Sequence, residues 1–177
     1  MLELQPPMPL FWFHVDMPDP PQAVIAHIQS IVGTPPSWIE SMWRVWRRKD
    51  DSAPPFVGSV NDSSFKIRRD IRYRNSFLPI IRGRVIASGL GSRLAVLMHI
   101  HPFSALFMGF WFYLVLRTHP VLKNPSAADF RVRGLFFIFG VLLVAGGFFP
   151  EAWKAKRLIS SAVQKTGEEQ HSPPQPL

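Results

Sequence analysis

The most concentrated chemistry in this chain is cationic: Arg68, Arg72, Arg74, Arg82 and Arg84, with Asn75 among them. Side chains of a strand alternate between its two faces. If 65–74 is extended, Lys66, Arg68, Asp70, Arg72 and Arg74 share one face, opposite Phe65, Ile67, Ile71 and Tyr73. Arg82 and Arg84 extend that face on the next strand, opposite Phe77, Ile81 and Val85. Gathered guanidinium groups recognise carboxylates, phosphates and headgroups. These six residues are therefore the expected anion or partner contact. Asn75-Ser76 also has ordinary turn chemistry, which explains it without a ligand.

Other chemistries find less support. His99-Ile-His101 is the one metal-like spacing, since residues i and i+2 of a strand share a face. No third ligand lies near them in sequence, so they are expected to be hydrogen-bonding interface residues, with no metal. The absence of Cys excludes a thiolate site, a cysteine nucleophile and a disulfide scaffold. There is no glycine-rich phosphate loop, nucleophile elbow or charge within an apolar run. The expectation is a protein that is not an enzyme and takes no cofactor. Residues 38–49 read as a helix with Trp38, Met42 and Trp46 in one stripe and Trp43 beside it. Arg44, Arg47, Arg48 and Lys49 close it. Tryptophan on one side and arginine on the other suits a headgroup layer, and suits somewhat better tryptophans that cover the open end of a small sheet with the arginines solvated. Trp38, Trp43, Trp46 and Trp153 are the expected membrane-interface residues.

These side chains need elements to hold them. Leu10 to Asp16 alternates as a strand. Asp19-Pro-Pro-Gln22 predicts a helix capped by Asp19, followed by Val24, Ile25, Ile28, Ile31 and Val32 and ended by Gly33. After Pro54-Pro55, four segments (56–60, 65–74, 77–86 and 93–100) predict an antiparallel meander. Beyond them lie two uncharged apolar runs, 102–116 and 134–149. Each is shorter than the roughly 20 residues that cross a bilayer. Flanking His101 and the snorkelling Arg131 and Arg133 make up the difference. A buried hairpin in a soluble core is the other reading, and the aromatics Phe107, Phe110, Trp111, Phe112 and Tyr113 argue against it.

The expected class is α+β: a small antiparallel sheet with a packing helix, a transmembrane helical hairpin and a C-terminal amphipathic helix. Its divisions are a cytoplasmic domain at 1–100, the hairpin at 101–150, the amphipathic helix at 151–166 and a disordered tail at 167–177. Residues 1–100 hold 12 Lys and Arg against 8 acids. Loop charges are close to balanced across the hairpin, and residues 1–21 carry neither a basic n-region nor an apolar h-region. Both termini are expected inside.

Phe56-Val-Gly-Ser-Val60, Phe65-Lys-Ile-Arg-Arg69, Tyr73-Arg-Asn-Ser-Phe-Leu-Pro-Ile-Ile-Arg-Gly83 and His101-Pro-Phe103 are similar to segments of a family of uncharacterised bacterial membrane proteins. Some of those resemble YcxB-like proteins, whose cytoplasmic part is thought of as pleckstrin-like. The resemblance is strongest over 56–108. It implies two membrane helices and bacterial origin, and it implies no activity; the expected location is the bacterial inner membrane. The strand, helix and meander also suggest a reduced helix-grip sheet, by analogy of fold.

The expected function is a membrane-associated binding or scaffold module whose basic sheet meets anionic lipid or an acidic partner. A helix-grip carrier of a small hydrophobic ligand is the alternative, and an accessory subunit of a membrane complex another. Gly140, Ala145, Gly146 and Gly147 would permit close helix packing, including self-association. Nucleic acid is not an expected partner, because anchoring makes lipid the nearer anion.

Overall fold

The computed structural model describes residues 11–35, 53–71, 73–89, 91–117 and 127–169, with side chains to residue 163. Trp38, Trp43, Trp46 and Arg72 lie outside them. So does the tail from residue 170.

The described chain is α+β: one mixed six-stranded sheet and three helices. The strands are β1 (Phe11–Met17), β2 (Val32–Gly33), β3 (Phe56–Val60), β4 (Ser64–Arg69), β5 (Ile80–Ser88) and β6 (Gly91–His99). The helices are α1 (Pro21–Ser30), α2 (Pro102–Arg117) and α3 (Ala127–Glu169). Strand order is β1-β6-β5-β4-β3-β2, so the first strand pairs with the last. All ladders are antiparallel except β2 with β3.

Alternation builds the core. Phe13 and Met17 of β1, Leu94, Val96 and Met98 of β6, and Ile81 and Val85 of β5 are buried on one face, with Phe65, Ile67 and Phe56. Phe65 is the cross-strand partner of Gly83. A Cβ on Gly83 would stand 2.0 Å from the Phe65 ring, so the glycine is what lets that ring lie across β5. Val24, Ile25 and Ile28 of α1 cover part of this face. The stripe Phe148, Ala152, Ala155, Ile159 and Val163 of α3 covers more. Its spacing of three and four residues keeps one side of the helix on the sheet. Each fully buried large side chain contributes about 1.5–3 kcal/mol.

Four expectations are corrected. Helix α1 starts one residue later than expected, with Pro20 in the cap position and no side-chain cap. Asp19 is buried instead, its carbonyl accepting the Ser92 hydroxyl at 2.8 Å. The helix ends at Ser30, because Val32 and Gly33 pair in parallel with Phe56 and Val57; the sheet is therefore mixed. Strand β4 stops at Arg69 rather than residue 74, where the chain turns to meet α3. The second apolar run and the amphipathic segment form one continuous helix of 43 residues. At 1.5 Å per residue it is about 65 Å long.

Helix α3 contains, at Ala127–Val163, the one stretch among the described residues long and apolar enough to cross a membrane. Its apolar window is only 11% buried. Helix α2 is apolar but has 16 residues. The two pack against each other through Trp111 with Phe136 and Phe112 with Phe137, ring centroids 6.0 and 5.0 Å apart. Gly140 allows this, since a Cβ there would lie 2.9 Å from the Phe112 ring.

Candidate functional site

The segment 73–77 closes over the sheet end of both apolar helices. Asn75 folds the turn, its Oδ1 accepting the Phe77 amide at 2.9 Å. Its Nδ2 donates to the Gly147 carbonyl of α3 at 2.7 Å. The next residue reaches α2, where the Ser104 hydroxyl donates to the Ser76 carbonyl at 2.6 Å. Gly147 permits the approach: a Cβ would meet Phe77 at 2.9 Å and Asn75 Oδ1 at 3.1 Å. Nearby, Pro150 lacks the N–H that would bond four residues back, so a helical hydrogen bond is absent where the clamp engages.

One residue past Pro150, Glu151 is buried at the join between the apolar helix and the sheet. Its Oε2 accepts Arg69 Nη1, and its Oε1 accepts the Tyr73 hydroxyl. Lys154 Nζ stands 3.3 Å from Oε1. Arg69 has the same parity in β4 as Phe65 and Ile67, so alternation directs it to the face that α3 covers. Burial pushes the Glu151 carboxyl up; the Tyr73 hydroxyl, the Arg69 charge and Lys154 outweigh this and hold it below the ordinary 4.5. Burial and the Glu151 acceptor push the Tyr73 phenol above its ordinary 10.0. Glu151 is therefore an ionised anchor, and Tyr73 a neutral donor.

Beside this clamp runs a cleft of about 620 Å³. Its floor is one face of α3, where Leu142, Gly146, Pro150 and Lys154 recur every four residues. Its rim is 73–77, including Arg74.

The other sheet face carries the cations. Lys66 and Arg82 are direct cross-strand partners, Arg84 pairs with Ser64, and Arg68 follows on β4. No acidic side chain pairs with these four among the described residues, and Arg82 Nε is buried without a partner. Arg93 on the same face is bound to Asp16 at 2.6 Å.

No family model, curated protein or solved structure matches this chain.

The structure thus brings Arg68, Arg82 and Arg84 together and separates Arg74 and Asn75 from them. Arg74 rims the cleft, and Asn75 holds α3. Trp153 is 60% exposed on α3 with its ring 6.5 Å from Phe11. His99 is buried with Nδ1 2.9 Å from the Ile100 carbonyl, whereas His101 accepts the Phe103 amide at the start of α2. No group of three possible metal ligands occurs among the described residues. Two of the four small helix residues, Gly140 and Gly147, are used within the chain. Sequence reasoning passed over Arg69, Glu151 and Trp12. The first was signalled by its parity and the second by its position directly after an apolar run. Trp12 is 68% exposed on the cationic face, opposite Leu97 near the end of β6.

Proposed function

We propose that this chain is an integral membrane protein whose α2–α3 hairpin lies in the bilayer and holds a basic sheet domain at its surface, as a binding or scaffold module for anionic headgroups. One observation carries the reading. Leu106, Phe107, Phe110, Leu135, Ile138 and Leu142 expose an apolar surface, and the helix bearing the last three continues into the core of the sheet domain. Water would oppose such exposure at about 25 cal/mol per Å² of apolar area. A bilayer removes that cost. The uncharged runs are short for about 30 Å of hydrocarbon, and flanking Arg131 and Arg133 suit snorkelling at the far end. Since β6 leads into α2 and α3 returns to the sheet, β1 and 151–163 share one side of the membrane. In this reading that side is the cytoplasm, in keeping with residues 1–21, which carry neither a basic n-region nor an apolar h-region.

The sheet face then faces a charged surface at graded distance. Arg68 lies level with His99, where the chain leaves for α2. Lys66 and Arg82 sit two residues back along the strands, about 7 Å, and Arg84 four back, about 13 Å. With a screening length of about 8 Å, the first three dominate and Arg84 adds less. Like charges directly opposite in a sheet destabilise it, so Lys66 beside Arg82 favours an external anion.

The test uses the full chain in liposomes with an environment-sensitive dye on Ala95→Cys, an exposed position of the same face. Anionic bilayers should shift the dye, and zwitterionic bilayers should not. High salt, or joint reversal of Lys66, Arg68 and Arg82 to Glu, should abolish the shift. An equal signal in both bilayers refutes headgroup binding. The carrier alternative has less support, because Ile28, Phe56, Leu94, Met98 and Ile159 fill the space between helices and sheet.

A further inference from the structure

The geometry points to a seat for one anionic phospholipid in the cleft between α3 and 73–77, a site distinct from the cationic sheet face. The inference rests on the hairpin lying in the bilayer. The cleft follows a single stripe of α3 from Leu142 to Lys154, twelve residues or about 18 Å along the axis. Its chemistry changes in the order that an amphiphile requires. At the apolar end are Leu142 and Leu143, 64% and 43% exposed. Next comes Gly146, where a missing side chain leaves a channel: a Cβ there would meet nothing within 4 Å. At the water end stand Lys154 and Arg74, with the Tyr73 phenol.

Charge selects the occupant. Two cations, Arg74 and Lys154, line the cleft against one carboxylate; Glu151 is held by Arg69 and Tyr73, with Lys154 Nζ 3.3 Å from it, so cations still outnumber the carboxylate. A net positive mouth above an apolar channel fits a phosphate diester carrying an acyl chain. The volume lies within the roughly 300–1,000 Å³ of sites that hold small ligands. The phosphate would sit between Arg74 and Lys154, and the chain would pass over Gly146 toward Leu142.

Gly146 and Arg74 allow a test that spares the clamp. The full chain is purified in mild detergent with phosphatidylglycerol or phosphatidylcholine, and retained lipid is read by native mass spectrometry. The wild type should retain one phosphatidylglycerol in preference to phosphatidylcholine. Gly146→Leu, which fills open space, should lose it at unchanged thermal stability. Arg74→Gln should weaken retention about fivefold, the worth of one interfacial cation. Retention indifferent to Gly146→Leu overturns the seat. So does full displacement by glycerol phosphate, which has no acyl chain. Flotation with liposomes separates the two claims: a chain that floats while retention ignores Gly146 loses only the seat, and one that stays in water loses both.

Discussion

Replacing Glu151 by Gln removes the charge on which the clamp converges. The carboxylate side chain is 3% exposed and Arg69 is 18% exposed. Removing one partner of a fully buried ion pair costs about 3–5 kcal/mol, because the other charge is left stranded. Arg69 keeps some water, and the amide oxygen still accepts from Tyr73, so about 2–3 kcal/mol is expected. For a chain of 177 residues, at about 2–4 °C per kcal/mol, the melting temperature should fall by about 4–12 °C. The assay is tryptophan fluorescence during heating, in one detergent for all variants. Arg69→Met should cost a similar amount. The double variant should lose at least about 1 kcal/mol less than the sum, since the residues share one interaction. A Glu151→Gln shift under about 2 °C, with additive singles, would show that the pair does not join α3 to the sheet.

Two further outcomes follow from the same place. Gly147→Ala presses a methyl against Phe77 at 2.9 Å and Asn75 at 3.1 Å and should cost about 1–3 kcal/mol, whereas Gly146→Ala meets open space and should be neutral or stabilising by up to about 1 kcal/mol; paired melting curves read both. The pH dependence has a definite sign. Glu151 has a folded-state value below its unfolded one, so its contribution is complete above the ordinary 4.5 and lost as pH falls further. The stability gap between wild type and Glu151→Gln should stay constant near neutrality and close below that value, as melting at stepped pH will show.

Much of the scaffold was legible because it depends on local pattern. Period-two alternation placed Phe65 and Ile67 opposite Lys66 and Arg68, and the packing of β4 follows it. The two apolar runs coincide with α2 and the first part of α3. What escaped was decided by distant contacts. The strand ended at Arg69 rather than residue 74 because its last side chain meets Glu151, 82 residues on. Two-residue β2 exists only through its parallel partner and has no periodicity to read. A division was expected between residues 150 and 151, yet α3 runs through it, with Phe148 and Ala152 buried on either side in the same core. The clamp was half visible: Asn75-Ser76 read correctly as a turn, but only folding shows that Asn75 also holds Gly147.

The central claim is that lipid covers the apolar surface of the hairpin. The cysteine-free chain allows a direct measurement with single spin labels. Leu106, Ile138 and Leu142 are 73%, 55% and 64% exposed, so nothing in the fold shields them, while Asp62, Ala87 and Ser161 are exposed on the sheet domain. In liposomes, labels at the first three should collide with oxygen, which concentrates in hydrocarbon, and not with a water-soluble nickel chelate. Labels at the other three should show the reverse. Nickel access at Ile138 and Leu142 equal to that at Ser161 would place the hairpin in water and contradict the account.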